Sequence, residues 1–311
     1  MSARVTGALH AAAAPGSTTP ALYYLYAVLA PGGRAEARLS AGTIAGLGEG
    51  APLFAIEAAG LVAAVSLVPA ARFDEAPLAA LLADLPRLTP LAVRHENAVH
   101  ALAEAADAVA PISFGAIYRD RAAVERLLHE GAAQFRALLA RVRGRQEWGV
   151  TLFAEPEALA RVAAAESDEL RRIDAEIAAA GPGRAYLLAK RRERVLAQES
   201  EVIGAAHATE LLYRLAALSA ETRVDEAARA AGAPRLLLKA AFLVENVCAA
   251  AFRSEADVAE RTAAGLGLAL QCSGPWAPYT FMRTGIDALV TDADEAIPHV
   301  VSGQPELGER G

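Results

Sequence analysis

Apolar positions along the 311-residue chain change period several times, and each change marks an element. Pro20 and Pro31 bound an aromatic-rich run, Ala21–Leu29, which reads as a buried strand with Tyr23, Tyr24 and Tyr26 distributed over both faces. Leu53–Glu57 and Leu61–Val68 are two further strands, joined by Ala58-Ala59-Gly60 as a hairpin turn. Thr43–Leu47 fits a short strand or a loop. Pro77–Ala83 predicts a short helix, and Pro90 opens a helix over Leu91–Val109, because proline suits a first helical turn. An apolar hinge, Pro111–Tyr118, is strand-like, with Gly115 permitting a bend. Asp120 caps a helix over Arg121–Val142 whose apolar residues repeat every 3.6 positions, and Gly144 closes it.

Glu147–Phe153 opens a second unit as a strand, followed by a short helix over Pro156–Ala165. Leu170, Ile173 and Ile177 form a helical stripe behind Ser167 and Asp168, and Gly181-Pro182-Gly183 breaks it. The helix after the break, Arg184–Leu218, is about 52 Å long at 1.5 Å per residue, so the two helices form an antiparallel hairpin that projects outward. Glu221–Asp225, Leu236–Val244 and Leu266–Cys272 read as strands, with a helix over Ser254–Gly265 capped by Ser254. The order strand, helical hairpin, strand, strand, helix, strand is a split βαβ, ferredoxin-like pattern with an oversized first crossover. The expected fold is therefore α+β in two domains, an N-terminal mixed α+β domain at 21–144 and a C-terminal ferredoxin-like domain at 145–283. The hairpin occupies about 167–219, and flexible tails cover 1–20 and 284–311.

Composition narrows the function classes. Hydrophobic residues at 54% and charged residues at 22% describe a globular body, and the net charge of −7 argues against broad nucleic-acid binding. Cys248 and Cys272 are the only cysteines, without C-x-x-C spacing, and fit a reducing cytosol. No apolar run reaches the length of a membrane span, and the N-terminus has no adequate signal-peptide core. His95-Glu96-Asn97-Ala98-Val99-His100 invites a zinc reading, but histidines at i and i+5 lie about 140° apart on a helix and cannot face one metal. The pair reads instead as a polar helix face near a domain junction. Gly46–Gly50 lacks the Lys-Ser/Thr of a phosphate-binding loop, and no nucleophile elbow or catalytic carboxylate pair is nominated. Lys190-Arg191-Arg192-Glu193-Arg194 reads as a solvated helix face, with Glu169 and Glu176 as ion-pair partners, or as a protein contact, ahead of RNA. Trp148 and Trp276 read as core or interface fillers, as do the strand tyrosines, with recognition as the alternative.

Several segments occur in an order that resembles one family. They are Tyr23–Val28, His95-Glu96, the Pro111–Tyr118 hinge with Phe114-Gly115, Glu147-Trp148-Gly149-Val150, Gly183–Lys190, Ala241–Val244 and Gly274–Phe281. Together they resemble the gas vesicle accessory family GvpF/GvpL, apart from the extra N-terminal tail and Ala277 where such proteins often carry proline. The resemblance implies a non-enzymatic accessory protein of gas vesicle assembly, in the cytoplasm and at the gas vesicle. Its implied partners are the small hydrophobic shell protein and other gas vesicle proteins, without nucleic acid, membrane, cofactor or metal. The candidate structural or partner-binding residues are Tyr24, Tyr26, Phe114, Trp148, Tyr186, Lys190, Trp276 and Tyr279. The rival reading is a ferredoxin-like small-molecule- or RNA-binding regulator.

Overall fold

The computed structural model of the protein describes residues 20–48, 50–225 and 235–291. The tails expected at either end lie outside the described residues, except for Pro20 and 284–291. The first half of the chain runs β1 (Ala21–Leu29), α1 (Gly33–Ser40), β2 (Phe54–Ala58), β3 (Leu61–Pro69), α2 (Ala70–Phe73), α3 (Glu75–Leu82), α4 (Leu85–Ala103), β4 (Val109–Pro111), β5 (Ile117–Tyr118), α5 (Arg121–Glu130) and α6 (Ala132–Val142). The second half runs β6 (Arg145–Ala154), α7 (Pro156–Glu166), α8 (Asp168–Ala179), α9 (Pro182–Ala216), β7 (Glu221–Val224), β8 (Arg235–Glu245), α10 (Ala249–Gly265), β9 (Leu268–Trp276) and α11 (Tyr279–Thr291). It is an α+β structure with two antiparallel sheets.

The first sheet has the order β2-β3-β1-β4, with β5 also paired to β1. A register shift after Leu25 advances the phase of β1. Tyr24, Tyr26, Ala27 and Leu29 therefore join one core, while Leu25 and Val28 join the other. Ala59 and Gly60 turn the β2–β3 hairpin at φ of +51° and +68°, the left-handed pair that a two-residue hairpin turn requires. The second sheet has the order β7-β8-β6-β9. Trp148, Val150, Leu152, Leu238, Ala240 and Phe242 face a core completed by Leu211 and Leu215 of α9 and Phe252 of α10.

Several boundaries differ from the sequence reading for local reasons. The helix expected from Pro90 begins a turn and a half earlier, where the Asp84 carboxylate accepts from the Arg87 N–H and Pro86 sits in the first turn. Pro90 is carried inside α4, which ends at Ala103. Asp120 does cap its helix, accepting from the Ala123 N–H at 2.8 Å, but the helix breaks at Gly131. Phe135 folds over that glycine so closely that a Cβ there would meet its ring at 2.8 Å. The hinge resolves into two short strands, β4 and β5, with Gly115 at φ +99° in the loop between them. Ser254 lies inside α10, which starts at Ala249 after the Cys248 N–H bonds the Glu245 carbonyl. Thr43–Leu47 is a loop carrying a single bridge from Ala45 to Pro52. The stretch from 284 expected to be loose begins as helix, since α11 runs to Thr291 and buries Ile286 against the first sheet's core.

The helical hairpin forms as α8 against a 35-residue α9. Ser167 caps α8, accepting from the Leu170 N–H. The C-terminal part of α9 packs on the sheet, while its N-terminal part is covered by α8. Among the described residues no single helix is long and apolar enough to cross a membrane, and α3 with α4 reaches that length only across a 102° bend.

Gly267 shows how tightly the second sheet meets its helices. It stands at φ +71°, and a Cβ would lie 2.1 Å from the Ala158 Cβ of α7. Gly267→Ala should lower stability by about 2–4 kcal/mol, adding left-handed strain to overpacking. Urea denaturation measures this, and a loss under about 0.5 kcal/mol would contradict the packing described.

Candidate functional site at the joint of the two sheets

On α4 the apolar stripe Leu88, Leu91, Ala92, Ala98, Val99 and Leu102 is interrupted by one polar member, His95, which is buried. Its ring stacks on Tyr26 (centroids 5.5 Å, 17°) and meets the Tyr24 and Phe114 rings edge-on at 5.7 and 5.8 Å. Burying a polar ring is costly unless both nitrogens are bonded. Nδ1 lies 3.0 Å from the Tyr24 hydroxyl and Nε2 lies 3.2 Å from the Tyr279 hydroxyl. The Gly115 N–H donates to the Tyr24 oxygen at 3.0 Å, and the Tyr279 hydroxyl also bonds the Glu96 carboxylate.

One proton assignment satisfies the side-chain members, and the imidazole also has the Ile112 carbonyl as a backbone hydrogen-bond partner. Gly115 donates to Tyr24, Tyr24 to Nδ1, Nε2–H to Tyr279, and Tyr279 to Glu96. Burial holds the imidazole near pKa 4 and keeps it neutral, and burial pushes both the Tyr24 and Tyr279 hydroxyls well above their ordinary range. Burial also raises the Glu96 carboxyl. The Tyr26 hydroxyl, pushed up to about 12, is held by the Ser66 hydroxyl and the Leu47 N–H. These groups hold one another in place.

A second polar contact joins the sheets a short distance away. Glu147, on β6 beside the end of β9, is only 8% exposed. Its carboxylate accepts from the Thr280 N–H at 2.9 Å and the Thr280 hydroxyl at 2.6 Å, and from the Phe281 N–H, so it caps the start of α11. Burial outweighs these bonds and raises its pKa to about 7. Arg141 of α6 pairs with Glu221 of β7 and donates to the Phe281 carbonyl, while Arg223 of β7 donates to the Thr280 carbonyl. The second sheet and α6 thus grip the first turn of α11.

The eight candidate residues separate into three groups. Tyr24, Tyr26, Phe114 and Tyr279 meet in one cluster around His95. Trp148 is buried in the second sheet's core against Phe252, its indole N–H without a protein partner, so it serves by filling space. Tyr186 and Lys190 stand exposed on α9, and Trp276 is 46% exposed at the end of β9. The reading of His95 as a polar helix face is overturned. It lies on the apolar stripe at helical spacing, while His100 alone is exposed, beside Glu104 at 3.5 Å. Glu147, Glu96 and Thr280 stand outside the eight candidates, although each lies in a segment that carries the resemblance. The available signal for Glu147 was an acidic residue inside a strand pattern. Among the described residues no group of three or more His, Cys, Asp or Glu could hold a metal ion.

Comparison with known proteins bears on what this joint belongs to. The model of the family described as "Gas vesicle synthesis protein GvpL/GvpF" matches residues 22–283. The chain belongs to the GvpL/GvpF family. Gas vesicle protein L of Streptomyces sp. (strain CB03234) is 34% identical over 271 residues, covering 85% of this chain and 94% of that protein. Two crystal structures share the GvpL/GvpF fold. GvpF from Anabaena sp. PCC7120 has a TM-score of 0.63 at 17% identity, over 84% of this chain and 98% of that one. GvpF from Microcystis aeruginosa has a TM-score of 0.57 at 16% identity, with the same coverage. In this GvpL/GvpF chain, five of the seven segments that carry the resemblance meet at the joint, through Tyr24, His95-Glu96, Phe114-Gly115, Glu147 and Tyr279-Thr280, while Gly183–Lys190 lies on α9 and Ala241–Val244 in β8.

Two of the buried titratable groups, Glu147 and His95, give opposite pH slopes. The folded pKa of Glu147 lies above its unfolded value of 4.5, so its contribution is full below pH 4.5 and is lost as pH rises towards about 7. The folded pKa of His95 lies below 6.5, so its contribution is full above pH 6.5 and is lost as pH falls towards about 4. Relative to wild type, Glu147→Gln should gain up to about 3 kcal/mol between pH 4.5 and 7, at about 1.4 kcal/mol per pKa unit. Denaturation across pH 4–8 measures the difference, and a pH-independent offset between the two proteins would refute a raised Glu147.

Proposed function

We propose that the protein is a non-enzymatic accessory factor of gas vesicle assembly, acting in the cytoplasm and at the growing vesicle. It binds the small hydrophobic shell protein together with other gas vesicle proteins. Family membership over residues 22–283 is the observation that carries this reading. The fold supports it when read as two domains, 21–144 and 145–283. The second sheet's order β7-β8-β6-β9, with α7–α9 and α10 as crossovers, fits a ferredoxin-like domain with an enlarged first crossover.

The hairpin is the part of this domain that fits a partner best. Tyr186 and Leu187, near the turn between α8 and α9, are 64% and 68% exposed. Large apolar side chains left in water on a projecting element suit a helix-in-groove contact with an apolar partner. The neighbouring basic run is largely occupied, since Arg191 pairs with Glu169, Arg192 with Asp174 and Lys190 with Glu193. That pairing favours a solvated helix face over a phosphate-binding one and removes the main support for an RNA regulator.

Coexpression with the shell protein, followed by copurification, tests both levels of the proposal. Replacing Tyr186 and Leu187 together by serine should reduce recovered shell protein about tenfold, for a loss of about 1.4 kcal/mol. Undiminished recovery would remove the hairpin from the proposal. No recovery with the wild-type chain would defeat the assembly reading itself.

A further inference from the structure

A cleft of about 550 Å³ opens where the two sheets meet. It is walled by the end of α4, the start of β4, the α6–β6 junction, Asn246 and the segment Pro275–Pro278. Three features distinguish it from a gap between packed surfaces. Trp276 at its lip is half exposed although its indole N–H is satisfied by the Ser273 hydroxyl at 3.2 Å, so the polar requirement of the ring is met and its apolar face remains open. Arg143, Gln146 and Asn246 line the cleft and make no side-chain hydrogen bond or ion pair among the described residues.

The third feature is a strand end. β6 pairs with β8 as far as Arg145↔Glu245, but its ladder with β9 stops at Glu147↔Trp276. Alternate residues of a strand turn their backbone groups to opposite neighbours. One of Arg145 and Gln146 therefore presents its N–H and C=O on the β9 side, where the chain continues into Ala277 and Pro278 and Pro278 has no N–H to offer.

We propose that this cleft receives an extended segment of the shell protein, which pairs through its backbone with the free end of β6 and lays an apolar side chain on Trp276. The inference rests on the assembly reading above and adds where the partner docks and in what conformation. An extended polypeptide matches the lining because it brings alternating donors and acceptors to two amide side chains and a strand end. A compact anion matches poorly, since Glu104 and Asp107 stand in the same walls as Arg143 and Arg145. The volume is that of a small-molecule site, so it takes a few residues and leaves the rest of the partner outside.

The test is copurification of the shell protein with the full-length chain and two variants. Trp276→Ala with Arg143→Glu strips the lip of the cleft, and Asn246→Trp fills it instead. All three positions are exposed, so circular dichroism melting should match wild type, and should one variant melt early the other still answers. Each folded variant should recover at least about fivefold less shell protein than wild type, the loss of one good contact. Wild-type recovery by a folded variant overturns the cleft and leaves the assembly reading standing. Absence of recovery by the wild-type chain overturns both.

Discussion

The structure depends on one constraint: the polar groups clustered around His95 must be hydrogen-bonded to one another at once. A neutral imidazole, two tyrosine hydroxyls and a carboxylate are drawn from α4, β1 and α11, and each has another of them as a hydrogen-bond partner. His95 bonds the Tyr24 hydroxyl through Nδ1 and the Tyr279 hydroxyl through Nε2, with the Ile112 carbonyl as a backbone partner. Tyr279 is in place only if α11 starts where Glu147 caps it. The second sheet therefore fixes the first turn of a helix whose remaining length packs on the core of the first. This coupling makes the angle between the sheets a consequence of hydrogen-bond geometry as well as of packed apolar area.

Much of this architecture was legible from periodicity, and the misreadings share a cause. Strands bounded by proline or glycine were found because their signals are local, as at Ala59-Gly60. The break at Gly131 was missed because it arises from Phe135 folding back over the glycine, which needs three dimensions to see. The helix expected from Pro90 is present but starts earlier, because two prolines compete and the earlier one has Asp84 to cap it. His95 was compared with His100, as a metal reading demands, when the informative comparison was with Leu91, Ala98 and Leu102. Measured against those residues it occupies a core position, and a core histidine implies partners on both sides. Those partners lie 71 and 184 residues away in sequence, so no local pattern could have named them.

The hairpin follows a different logic from the joint. Its ion pairs are exposed, so they contribute little to stability and mainly keep α8 in register with α9. The apolar residues it leaves in water are costs that only a partner removes. The joint places its polar groups in internal order, whereas the hairpin keeps apolar surface uncovered, a division that fits the assembly role proposed above.

Rigidity at the joint also bears on how a partner could be held. The cleft is bounded by elements of both sheets, with Trp276 only three residues from the helix start that Glu147 fixes. Its width is set by the same bonds that set the angle between the sheets. Under the docking proposed above, a cleft held open in this way would receive an extended segment without first reorganising, and the ordering cost would fall on the incoming chain alone. A contact of that size is weak by itself. Coupled through a rigid body to a second contact on the hairpin, it gains from the high effective concentration of the other end. Loosening the joint would leave each surface chemically intact and still weaken their combination, because the distance between them would no longer be fixed.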